Sequence, residues 1–168
     1  MNTVIRPEEP SDAAAIHAVT AAAFLDAPHT SHTEQLIVDA LRQAGALAIS
    51  LVAEQGGEVI GHVALSSVSV SDGSTGWYGL GPISVKPHRQ GMGIGNLLMR
   101  AAIRSLRMRG AAGCVLVGNP SYYSRFGFKP EPGLVLPDVP PEYFQALPLG
   151  PSLPHGVVAF HQAFGARR

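Results

Sequence analysis

The chain has 168 residues, 46% of them hydrophobic and 14% charged, with twelve basic and twelve acidic side chains and no net charge. That size and composition predict a single globular domain, 1–168, with a sizeable core, and exclude a disordered or fibrous polymer. Zero net charge argues against nucleic acid as a partner, and a lone cysteine excludes an internal disulfide. No apolar run approaches the roughly 18 residues of a membrane helix, and the N-terminus lacks a basic-then-apolar leader, so a cytoplasmic protein with no membrane partner is expected.

Residues 3–6 (TVIR) read as a short strand. Ser11 or Asp12 can cap a first helix, with Ile16, Val19, Ala23 and Phe24 on one face. A polar loop follows, in which His29 and His32 lack further ligands at metal spacing and are expected to be solvated. Ser31 and Glu34 have the spacing of a capping box before EQLIVDALRQA, a helix that should stop near Gly45. Two strand-like runs, AISLVAEQ and EVIGHVALSSVSV, are joined by Gly56-Gly57, a hairpin signal, and the second reads as one long central strand.

The next strand, WYGLGPISV, carries Gly79, Gly81 and Pro82. They interrupt a regular ladder and predict a bulge. The helix beyond it places Ile94, Leu97, Leu98, Ala101, Ser105 and Met108 on one stripe and its arginines on the other, ending at Gly110. GCVLVG is an all-apolar strand in which Cys114 reads as a core residue. NPSYYSRFGF gives a turn, about one helical turn with two tyrosines (Tyr122 taken as core), and a return to strand at Gly127-Phe128. The proline-rich stretch 130–156 is too apolar for a linker and reads as irregular structure packed on the body. VVAFHQAF supplies a last strand.

Between these elements, Gly91, Gly93 and Gly95 leave backbone N–H groups uncovered just where a helix starts. Such a helix end attracts anions. From 73 to 130 there is no acidic residue, yet eight of the twelve bases lie there, which suits a compact polyanion. A Walker loop is excluded because no lysine follows the glycines. The dinucleotide fingerprint fails at Asn96 and lacks a following acid. The spacing that matches is Q-x-x-G-x-G, at Gln90, Gly93 and Gly95.

In its strand–loop–helix context this motif resembles the acetyl-CoA pyrophosphate loop of the GNAT N-acetyltransferase superfamily. Tyr123, four residues before Gly127-Phe128, adds to the match. GNPSYYSRFGF and the terminal VAFHQAF are similar to the YhbS-like branch of that superfamily. The resemblance implies an α/β (α+β) fold whose mixed, mostly antiparallel sheet is splayed between its fourth and fifth strands, with helices on both faces. It implies acetyl-CoA (coenzyme A) as co-substrate and no metal. Pantetheine would meet the main chain of Ile83 and Val85, and the pyrophosphate would meet the turn Gln90, Gly91, Met92, Gly93, Ile94, Gly95 and Asn96. Asn119 would reach the cofactor arm or serve as a turn residue. Arg89 or Lys86 would meet phosphates or be solvated.

The reaction implied is direct attack of a primary amine on the thioester, with Tyr123 as the acid toward the departing thiolate. Glu34, Glu54, Asp72, His62 or a water chain could take the amine proton, and none is singled out. The acceptor would be a small-molecule or peptide amine, and the protein a monomer or homodimer. Two other readings stand beside it. One is a GNAT-fold CoA-binding regulatory protein without turnover; the other, an RNA-binding module, rests on the arginine face alone.

Overall fold

The computed structural model describes residues 2–28 and 30–166; His29 lies outside them. Six strands form the main sheet in the order β1 (Thr3–Pro7), β2 (Ile49–Gln55), β3 (Glu58–Ser67), β5 (Trp77–Val85), β6 (Gly113–Val117), β8 (Phe144–Pro148). All neighbours are antiparallel except β5 and β6. The β2–β3 hairpin turns on Gly56 and Gly57, at φ +55° and +82°, the positive pair that a two-residue turn requires.

The period-two alternation of β2 assigns the helices to faces. Leu51 and Ala53 join the core under α3 (Ile94–Met108), whereas Val52 joins the cluster of Ile16 and Val38 from α1 (Ala13–Phe24) and α2 (Glu34–Gln43). Helices therefore cover both faces, as expected. The predicted bulge is present: β3 advances from Val63 to Leu65 while β5 runs from Ile83 to Leu80, one residue more, across a cis Gly81–Pro82 bond. The splay is present too. β5 and β6 pair only over Trp77–Gly79 and Gly113–Val115, so from Leu80 onward β5 has β3 as its sole strand partner. The expected fourth and fifth strands are thus β5 and β6, because a short strand intervenes.

That short strand is the first of several corrections. The run read as one long strand breaks at Val68. Its end, β4 (Ser69–Val70), peels into a second sheet of order β4-β9-β7, with β9 at Gly156–Ala159 and β7 at Leu134–Val135. The proline-rich region is not wholly irregular, since it supplies β7 and β8, the latter paired with β6 along its full length. Pro148 is tolerated because β8 is an edge strand. Helix α2 starts from Thr33, not Ser31. The Ser31 and Thr33 hydroxyls bond each other, and Glu34 accepts from Thr30 Oγ1 at 2.7 Å, so no capping box forms. Asp12 precedes α1 without capping it, because its carboxylate is taken by Arg6 and by the Glu9 N–H.

On α3 the buried stripe is Ile94, Leu98, Met99, Ala102 and Leu106. Leu97 and Met108, predicted to face inward, are exposed (45% and 82%). The ridge that seats on the sheet runs in steps of four from Ile94, leaving Leu97 beside it and Met108 in the exposed final turn. Cys114 is fully buried, as expected, and burial raises its thiol pKa.

Candidate functional site

Beyond the point where β6 leaves it, β5 has a free edge. Lys86 N–H donates to Ile60 O at 2.8 Å, towards β3. Main-chain groups alternate sides along a strand, so those of Val85 and Ile83 point the other way, into the gap. The Val85 carbonyl accepts there from Gln90 Nε2 at 3.0 Å.

The chain then makes a 3-10 turn at Pro87–Arg89 and reaches Gly91 and Gly93, at φ +78° and +83°. A Cβ at either would meet nothing, so the need for glycine is conformational. Gly93 is the N-cap of α3 and no side chain caps the helix. The first helical bond runs from Leu97 N–H to Gly93 O at 3.1 Å, which leaves the N–H groups of Ile94, Gly95 and Asn96 without partners among the described residues. These donors carry the positive end of the helix dipole.

They open on a cleft of about 360 Å³. Seven of the predicted cofactor residues line it: Val85, Gln90, Gly91, Gly93, Ile94, Gly95 and Asn96. Ile83, Met92, Asn119 and Tyr123 do not. The Met92 side chain is exposed, and Asn119 caps α4 (Pro120–Tyr123) by accepting from Ser121 N–H at 2.9 Å, the turn role. Lys86 is paired with Glu58, whereas Arg89 lines the cleft and donates to Gln55 Oε1 at 2.5 Å.

Two residues on the far wall, Tyr122 and Arg125, were not among the predicted site residues. Tyr122 is not core: its hydroxyl donates to Asn96 Oδ1 at 2.7 Å, joining α4 to the first turn of α3 across the cleft. A Cβ on Gly95 would lie 3.3 Å from that hydroxyl, so the small residue permits the close approach. Arg125 Nε donates to the Tyr122 carbonyl at 2.9 Å, and its guanidinium lies 4.4 Å from the Tyr122 ring centre. The i, i+3 spacing of Tyr122 and Arg125 on one turn was the available signal.

Tyr123 packs edge-on against Tyr122 and Phe128 and covers Gly118, leaving no room there for a side chain. Its hydroxyl has no hydrogen-bond partner among the described residues, and burial, with Tyr122 beside it, pushes its pKa up to about 12. None of the residues considered as base lines the cleft. Glu54 is held by Arg6 at 2.9 Å, and Asp72 accepts from the N–H groups of Ser74 and His155. His62 is fully buried against Ser50 at 2.7 Å, and burial pushes its pKa down to about 4. His32 contacts the Leu25 carbonyl at 3.1 Å, and no group of three or more metal-binding side chains occurs among the described residues.

Known proteins are similar to this chain in sequence and in fold. The sequence profile of the Acetyltransferase (GNAT) domain matches residues 46–130. The uncharacterized N-acetyltransferase YhbS of Escherichia coli K12 is 38% identical over 127 residues, 75% of this chain and 73% of that protein. The crystal structure of a GNAT family acetyltransferase from Brucella melitensis in complex with acetyl-CoA superposes with a TM-score of 0.87 at 50% identity, covering 97% of this chain and 98% of that one. The structure of E. coli YhbS in complex with CoA gives 0.90 at 33% identity, covering 99% and 93%. A splayed β5–β6 pair, a glycine turn at the head of α3 and these similarities lead to one conclusion: the chain belongs to the GNAT family of acetyltransferases.

Proposed function

We propose that this protein is an acetyl-CoA-dependent N-acetyltransferase acting on the primary amine of a small molecule or peptide, as one cytoplasmic domain. The observation that carries this reading is the row of unpartnered N–H donors at Ile94, Gly95 and Asn96, opening on a cleft continuous with the free edge of β5. The complexes of the two structural relatives with acetyl-CoA and CoA support it.

Acetyl-CoA, when bound, supplies an activated thioester. The N–H groups of the Gln90–Asn96 turn hold its pyrophosphate, and Ile83 and Val85 offer main-chain groups to the pantetheine as a strand would. Beside the bulge at Gly81–Pro82, the Ile83 N–H faces the gap, where it can stabilise the oxygen that gains charge as the amine attacks. Tyr123 donates a hydrogen bond to the departing sulfur. With its pKa near 12 it remains a donor throughout the neutral range and stabilises the thiolate chiefly by that bond, a more modest role than full proton transfer.

Calorimetric titration with acetyl-CoA, alongside Gly93→Asp, tests the assignment. Open space and a positive φ, which aspartate tolerates better than most residues, let the variant fold. Its carboxylate would occupy the anion site. Micromolar binding by the parent and none by the folded variant is the expected outcome; equal affinity in both removes the loop from the site. Turnover with a panel of amines then tests transfer, and binding without turnover on any amine would leave a CoA-binding protein only.

A further inference from the structure

The cleft carries side-chain charge in addition to the main-chain donors of its glycine turn. Two guanidinium groups, Arg89 and Arg125, line it from opposite walls, and no carboxylate does. Elsewhere, Arg6, Arg42, Lys86 and Lys129 each pair with an acidic side chain. The two cleft arginines are instead positioned by neutral groups, Arg89 by the Gln55 amide and Arg125 by the Tyr122 carbonyl and ring. Those contacts orient both cations and neutralise neither. Among the described residues Arg100, Arg104 and Arg107 also lack carboxylate partners, but they are exposed on α3 and none of them lines the cleft.

The two walls are not equivalent. Arg89 precedes the glycine turn directly and stands on the side of the pyrophosphate donors. Arg125 stands across the gap, and the Tyr122–Asn96 bond fixes the spacing of its wall from the turn. The terminal nitrogens of Arg125 have no polar partner among the described residues, so its planar fork is free to receive an anion.

We propose that Arg125 is a specificity-determining residue that reads the 3′-phosphate of CoA, the monoester on the ribose. This rests on the acetyl-CoA reading above and adds to it a discrimination against donors that lack that phosphate. A phosphomonoester carries about −1.5 to −2 charges at neutral pH and three acceptor oxygens, a match for a fixed guanidinium that neutral ribose cannot offer.

The test is calorimetric titration of CoA and 3′-dephospho-CoA into the parent protein, Arg125→Ala, and Arg104→Ala as a control for general surface charge. The parent should bind CoA on the order of tenfold more tightly than dephospho-CoA, the scale of one charge-assisted hydrogen bond. Arg125→Ala should lose that preference while binding dephospho-CoA as the parent does, and Arg104→Ala should keep it. The inference is overturned by a parent without preference. It is equally overturned by an Arg125→Ala protein that weakens on both ligands alike, which would make Arg125 a wall residue only, or by an equal effect of Arg104→Ala. If the parent binds neither ligand, the acetyl-CoA reading falls and takes this inference with it. If binding is strong and abolished by Gly93→Asp while Arg125→Ala retains the preference, only the inference falls.

Discussion

Of two adjacent tyrosines, Tyr122 lines the cleft and Tyr123 lies behind it. Tyr122 places its hydroxyl on Asn96 across the cleft, and Tyr123 keeps an unpartnered hydroxyl over an apolar bed. Tyr122→Phe should keep the ring and lose one hydrogen bond, about 0.5–1.5 kcal/mol. Steady-state kinetics should then show KM for acetyl-CoA raised several-fold with kcat little changed; an unmoved KM would make the bond incidental. Tyr123→Phe should leave CoA affinity intact and lower kcat on the order of a hundredfold, the lower range for such donors. An unaltered kcat removes Tyr123 from the chemistry. The glycine turn was legible in the sequence because positive φ leaves glycine as the economical choice at 91 and 93. Tyr122 and Arg125 were less so: their i, i+3 spacing puts them on one turn, but the contact that sets that turn against the cleft joins α4 to α3, remote in sequence.

The elements that were readable carry their own periodicity or punctuation: the Gly-Gly hairpin, the interrupted β5, the amphipathic α3. What failed was detail that only tertiary packing decides. The face of α3 is set by where its ridge meets the sheet, and this yields a test. Leu98→Ala should cost about 2–5 kcal/mol in urea unfolding, as for a fully buried leucine. Leu97→Ala, at an exposed position the sequence pattern had placed inside, should cost no more than about 0.5 kcal/mol. Similar losses at both positions would mean the stripe is drawn wrongly. β8 was hidden because prolines dominate its surroundings and its inward Gln145, fully buried, breaks the apolar signature of a core strand.

At the scale of the molecule, a polar network ties the residue after β1 to β2, β3 and α2. His62 meets Ser50, Ser50 meets Glu8, and Glu8 is gripped by Arg42 at 2.9 Å. Burial alone would raise the Glu8 pKa, but its bonds to Arg42 and Ser50 outweigh that and lower it; the Asp12 pKa is lowered chiefly by Arg6. His62 is depressed from 6.5 to about 4 by burial, so the folded protein resists the proton that the unfolded chain accepts. Stability is therefore full above pH 6.5 and declines as pH falls toward 4, with the lowered carboxylates adding to the loss at the acid end. His62 alone accounts for a loss on the order of 3 kcal/mol. Urea unfolding from pH 7 to 4 checks this: His62→Gln should flatten the slope between 6.5 and 4, and an unchanged slope would clear His62 of the effect.

The late position of β8 has a consequence for biosynthesis. β6, the strand that diverges from β5 to open the gap, is buttressed on its outer side by β8 alone in the main sheet. The glycine turn leaves the ribosome well before Phe144 does, so a nascent chain presents that turn while β6, across the gap, still lacks its outer neighbour. A message cut short before Phe144 would encode every residue that lines the cleft but leave β6 without the strand that pairs along its outer side.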